Sequence, residues 1–208
     1  MTDSTLAAPE LAAVDIDGIT RGSFLVKSAL TVGAVYGAAA VGPFVSQAFA
    51  QSSDGDVEIL NFALTLEYLE ADFYRQALKL DLDSEARTFA QEFGAHEEEH
   101  VKVLTQTVEM LGGTPAKMPT FTFPMRDQAS FLKLAQTLED TGVSAYNGAG
   151  PMIESKEILS AAGQIVQVEA RHAAAIRLTR DENPAPKAFD EKLEMQAVLE
   201  AVKPFIKS

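Results

Sequence analysis

Cysteine is absent from all 208 residues, which removes disulfides, thiolate metal sites and cysteine nucleophiles together. Histidine is scarce: the chain has three, His96, His100 and His172. Cations are in deficit. Seventeen lysines and arginines face 30 aspartates and glutamates, a formal net charge of -13. A phosphate backbone would be repelled, so nucleic acid is not an expected partner. No convincing strand pattern occurs. What is present is an ordinary globular composition, long enough to bury one core, so a single domain is expected.

The first fifty residues do not read as part of that domain. Arg21 and Lys27 precede a run, 28–53, that carries no charge and is rich in Ala, Gly and Val. It ends in Ala48-Phe49-Ala50 before Gln51, a small-x-small site. A charged start, an apolar middle and such a site describe a secretory signal peptide. A membrane anchor is the rival, because a span needs about 20 apolar residues. Gly33, Gly37, Gly42 and Pro43 would make it a poor spanning helix. Residues 20–27 also resemble a twin-arginine export signal: Phe24, Leu25 and Lys27 fit, while Gly22 stands where the second arginine would be. The expectation is an export segment over 1–50, cleaved near Ala50/Gln51, and a mature domain over 51–208 in the periplasm or another extracytoplasmic space.

In the mature part, Ile59, Leu60, Ala63, Leu66, Leu69, Phe73 and Ala77 recur at three- and four-residue steps, which predicts an amphipathic helix over 56–80. Asp81 to Ser84 offers N-cap chemistry, and a second helix is expected to run to about Leu111. Gly112-Gly113 and then Pro115, Pro119 and Pro124 forbid a long helix. A third helix is expected over 127–146, a fourth over 153–180 and a short amphipathic tail over 189–202. Two short hairpin connections around one long crossover give an all-α four-helix bundle with a short C-terminal helix.

The stretch "HEEEH", residues 96–100, reads in two ways. As H-E-x-x-H it is the zinc signature of helical metalloproteases. As Glu97-x-x-His100 alone it is half of a carboxylate-bridged dimetal site. An internal repeat separates them. With an offset of 72 residues, Glu67 and Tyr74 meet Glu139 and Tyr146, and Glu97 and His100 meet Glu169 and His172. Each half therefore carries Glu-x6-Tyr on its first helix and Glu-x-x-His on its second. Glu and His three apart on a helix can reach one metal, and the partner helix adds a carboxylate. Two such hairpins bring Glu67, Glu97, His100, Glu139, Glu169 and His172 together, an oxygen-rich set with two nitrogens that suits iron or manganese. Tyr74 and Tyr146 return to the same face and are placed to hydrogen-bond those carboxylates.

The bland reading, solvated glutamates and incidental histidines, is outweighed by the repeat and by the apolar neighbours of Glu67 and Glu169, since unpaired buried carboxylates are costly. The zinc-protease reading needs a third ligand: a further His shortly after the motif, or a Glu on a following helix. No His follows until His172, and 112–129 holds no Glu. His96 faces Val168 in the repeat and is expected to be exposed or partly buried. Glu70 and Asp72 are expected to be solvated helix-face charges.

Together these residues resemble the ferritin-like superfamily, whose dimetal motif is Glu, Glu-x-x-His, Glu, Glu-x-x-His. The stretch "NFALTLEYLEADFYRQAL" looks most like its exported, bacterial and desiccation-related group. The resemblance implies two iron ions, alternatively two manganese ions, with Glu67 and Glu139 terminal and Glu97 and Glu169 bridging. It implies oxidation of Fe(II) or reduction of peroxide or dioxygen in oxidative-stress protection. The alternatives are a dimanganese catalase-like enzyme and a non-catalytic metal-binding protein. With no cysteine for a rubredoxin-like centre, any electron relay comes from an unidentified external donor. The sequence leaves the oligomeric state open, an antiparallel homodimer through outer bundle faces being compatible with it.

Overall fold

A computed structural model describes residues 54–207, and the export reading of 1–50 lies outside them. Five α-helices follow one another: α1 Asp54–Ala77, α2 Ser84–Met110, α3 Gln128–Ala149, α4 Lys156–Thr179 and α5 Met195–Val202. Single 3-10 turns occupy Gly150–Met152 and Lys203–Phe205. The expected all-α bundle is observed. Among the described residues the only β pairing is an isolated antiparallel bridge between Phe121 and Ile206.

Local chemistry sets the helix ends. Asp83 is the N-cap of α2, its carboxylate accepting from the Ala86 N–H at 2.8 Å. Asp127, expected inside the third helix, is its cap and forms a capping box with Ser130. The Gln128 side chain binds the Asp83 backbone and carboxylate at 2.8 and 2.7 Å, tying the starts of α2 and α3 together. At the other end of α2, Gly112 takes a φ of 79°, the left-handed conformation that stops a helix.

α1 packs antiparallel on α2, and α3 on α4. Between the hairpins the crossover, 111–127, runs the length of the bundle. Asn61 on α1 holds its start, donating to Thr114 O at 3.1 Å and accepting from Ala116 N at 2.7 Å. Its middle pairs with the C-terminal tail, Thr122 N donating to Phe205 O at 2.8 Å and Lys207 N to Thr120 O at 2.9 Å.

Two expectations need correction. The fourth helix starts at Lys156 rather than Ile153, because Ser155 caps it through the Ile158 N–H. The tail is helical only from Met195. The segment before it is a strap: Leu193 N donates to Ser144 O at 3.0 Å, and its backbone lies so close to Gly148 that any Cβ there would collide with Leu193 O. Phe189, expected on an amphipathic face, is 88% exposed.

The core falls into two apolar groups along the axis. One is aromatic, with Phe73, Phe89, Phe93 and Phe131 all fully buried. The other is aliphatic, built on Leu60, Leu64, Leu104, Val108, Ile158 and Ile165. Each fully buried phenylalanine contributes about 2 kcal/mol.

The aliphatic end is closed by Asp56. Its buried carboxylate accepts from the backbone N–H of Glu154 at 2.8 Å and of Ser155 at 3.0 Å, fixing the start of α1 to the turn before α4. Replacing Asp56 with alanine strands both donors in a dry site. Urea denaturation of Asp56→Ala is expected to show a loss of about 3 kcal/mol. A loss below about 1 kcal/mol would mean the link is not structural.

Candidate metal centre

Glu67 of α1, Glu97 and His100 of α2, Glu139 of α3, and Glu169 and His172 of α4 all point to the bundle axis. The four glutamates and His172 are fully buried, while His100 keeps 12% of its side chain exposed. Nδ1 of His100 lies 2.8 Å from Glu97 Oε2, 3.1 Å from Glu67 Oε2 and 3.2 Å from Glu169 Oε1. Nδ1 of His172 lies 3.1 Å from Glu97 Oε1, 3.3 Å from Glu139 Oε2 and 3.3 Å from Glu169 Oε2. Glu97 and Glu169 thus turn one oxygen toward each imidazole, while Glu67 and Glu139 each serve one side.

Two groups of candidate ligand atoms result, each within 4.8 Å: Glu67, Glu97, His100 and Glu169; and Glu97, Glu139, Glu169 and His172. The remaining oxygens of the one-sided carboxylates are occupied, and the links cross the bundle. Tyr146 OH of α3 donates to Glu67 Oε1 of α1 at 2.5 Å, and Tyr74 OH of α1 donates to Glu139 Oε1 of α3.

The residues fit a cation pair by what they leave undone. Glu97 Oε1, Glu139 Oε2, both oxygens of Glu169 and Nδ1 of His172 are buried without a well-aligned hydrogen bond. Buried polar atoms without an aligned partner at such density are rare in folded proteins. Carboxylate oxygens with two imidazole nitrogens form a donor set for iron or manganese.

Electrostatics follow from the crowding. Burial pushes Glu67 and Glu139 up to about 8, against the pull of His100 and His172. Burial also opposes the charge on Glu97, but its two imidazole neighbours win and hold it below the usual carboxylate range. His100 and His172 are desolvated too, yet the surrounding carboxylates raise both well above the ordinary histidine value. Burial and then the facing carboxylates raise Tyr74 and Tyr146, so both hydroxyls remain donors.

Three residues are not where the sequence placed them. His96 is buried, with Nδ1 2.9 Å from Nε2 of His172. Burial, and then His172, lower its pKa to about 4, so neutral His96 accepts from the His172 Nε2–H and leaves Nδ1 of His172 facing the carboxylates. Glu70 is buried too, and burial followed by the charge of Glu139 raises it well above its ordinary value. Its room comes from Gly142, where a Cβ would lie 3.2 Å from Glu70 Oε1 and 3.8 Å from Glu169 Cγ. Glu70 and Gly142 are repeat mates, 72 residues apart, so the signal was readable in the sequence. Asp72 is buried away from the centre, accepting from Arg75 and, at 2.7 Å, from Gln76.

The cluster predicts a pH signature. Above the unfolded carboxylate value of 4.5, folded Glu67 and Glu139 keep protons that the unfolded chain releases. That stability is lost as pH rises through about 8. The raised histidines act in the same direction, and His96, with a folded value of about 4, stays neutral throughout. The Tm of metal-free protein is expected to fall as pH rises from 6.5 to 8. Saturating divalent metal should reverse the slope, because binding displaces the same protons. An unchanged slope on metal addition would show that the ions bind elsewhere.

Residues 55–182 match the ferritin-like domain family. Protein rds1 of Schizosaccharomyces pombe (strain 972 / ATCC 24843) is 26% identical over 163 residues, covering 74% of this chain and 40% of that protein. The chain therefore spans less than half the length of that relative. With more than half of its residues in the matched domain, and with two helical hairpins gathering Glu and Glu-x-x-His from each half, the chain belongs to the ferritin-like family.

Proposed function

We propose that the chain is an exported dimetal-carboxylate oxidoreductase that holds two iron ions and oxidises Fe(II), or reduces peroxide or dioxygen, in oxidative-stress protection. One observation carries the reading: Glu97 and Glu169 each direct one oxygen to each histidine, as two bridging carboxylates would. Glu67 with His100, and Glu139 with His172, then complete the two ends. When bound, the two ions supply one electron each to the oxidant.

The chain's own residues do the rest. Tyr146 and Tyr74 fix the one-sided carboxylates by holding their outer oxygens. His96 sets the tautomer of His172. Phe93 stacks on the His172 ring at 4.0 Å between centroids and shuts water from that side. Export is supported by the uncharged run over 28–53 and the Ala48-Phe49-Ala50 site. The donor set suits manganese equally, and a dimanganese form would dismute peroxide with release of oxygen.

Metal analysis of the exported protein tests the reading, with about two iron or manganese ions per chain expected. Glu97→Ala and Glu169→Ala should each lose both ions together, because each removes a ligand shared by the two sides. Loss of only one ion, or a single zinc surviving in Glu169→Ala, would overturn it. His96→Ala should keep both ions but weaken binding by about 10- to 100-fold, the usual cost of removing the group that orients a ligating histidine.

A further inference from the structure

The two halves match at the metal centre but not beside it. Four fully buried phenylalanines, Phe73, Phe89, Phe93 and Phe131, fill the bundle on one side of the centre. Their repeat mates at the 72-residue offset are Ala145, Ala161, Ile165 and Ile59. All four mates line one cavity of about 40 Å³ on the opposite side. The void thus sits where one half of the repeat carries small or aliphatic residues in place of rings.

The cavity adjoins the centre. Ala63 lies four residues before Glu67, Leu104 four after His100 and Ile165 four before Glu169, so its wall is one helical turn from the ligands on three helices. Tyr146, which holds Glu67, forms part of that wall. Toward the surface, Ala161 and Ala162 are partly exposed.

Size and chemistry limit the occupant. A water needs at least about 10–15 Å³ of such space and two or more polar partners. Here the volume suffices for a diatomic. Few polar atoms line it, and their protons are committed: the Thr107 hydroxyl donates to Val103 O at 2.8 Å and the Tyr146 hydroxyl to Glu67, while one oxygen of Glu157 accepts from Ser155 at 3.1 Å. Peroxide would lose most of its hydrogen bonds here, at a cost of a few kcal/mol. A small apolar gas loses nothing.

We propose that this cavity is a dioxygen site that supplies the centre past Tyr146. The inference rests on the dimetal reading and names the oxidant that the reading left open. Two Fe(II) ions each give one electron, and dioxygen takes both with two protons to become hydrogen peroxide. When peroxide is the oxidant, the same two electrons and two protons split its O–O bond to give two waters. Peroxide is expected to enter elsewhere, along the partly exposed edge of His100.

The test uses Ala161→Phe, which gives this position the residue its repeat mate carries, with Ala145→Val as a milder second variant should the first fail to fold. Crystals of metal-free wild type under xenon should show xenon in the cavity, and the variant should not. Both proteins should bind equal Fe(II) anaerobically. Oxidation by dioxygen should then slow about tenfold or more in the variant, with peroxide-driven oxidation unchanged. Absence of xenon from wild type, an unaltered dioxygen rate, or equal slowing with both oxidants would overturn the proposal. Failure of wild type to bind Fe(II) would sink the dimetal reading and the supply role with it, leaving xenon to report only a void.

Discussion

Four carboxyl groups and two imidazoles share one buried shell, and every helix of the bundle contributes to it. Two like charges 4 Å apart repel by about 4 kcal/mol at the effective dielectric of a protein interior. Four ionised glutamates at these separations cannot coexist without cations. Protons meet the need in the metal-free protein, held by Glu67 and Glu139 and by both ring systems. A pair of divalent ions would meet it with more charge and fixed geometry. Burial is therefore not incidental to the centre: it makes neutralisation obligatory and so selects for cation binding.

Symmetry in the ligands coexists with asymmetry around them. His172 is stacked on Phe93, bonded to His96 and shut from solvent, whereas His100 keeps an exposed edge. Val168 stands where His96 has its mate, Ile165 where Phe93 has its mate, and Gly142 where Glu70 has its mate. The two ends of one centre thus differ in access and polarity, although the chain offers both the same candidate donors. A symmetric scaffold repeats the candidate donors, and departures from the repeat supply direction.

Much of this was legible in the sequence. Spacing gave the four helices, and the 72-residue offset gave the six residues the fold brings together and the tyrosines that hold two of them. What escaped was whatever depends on neighbours from other helices. His96 looked exposed or partly buried because the repeat offered no mate for it, yet packing between α2 and α4 buries it against His172. Glu70 looked solvated because a single helix face was considered, and its room is made by a glycine on α3. The tail looked helical as far back as Phe189 because amphipathic spacing cannot register a backbone strap passing over Gly148.

The crossed tyrosines have a consequence for how the fold is inherited and assembled. Neither hairpin can complete its own centre: α1 carries Glu67 but the hydroxyl that holds it is on α3, and the reverse is true of Glu139 and Tyr74. A lone hairpin is left with a buried acceptor and a buried donor that match only on a second copy. Two identical hairpins about a twofold axis would close the same pair of links, which makes a self-associating half-length ancestor chemically coherent. In the joined chain the same exchange couples the halves, so that partial unfolding of either hairpin releases a glutamate on the other.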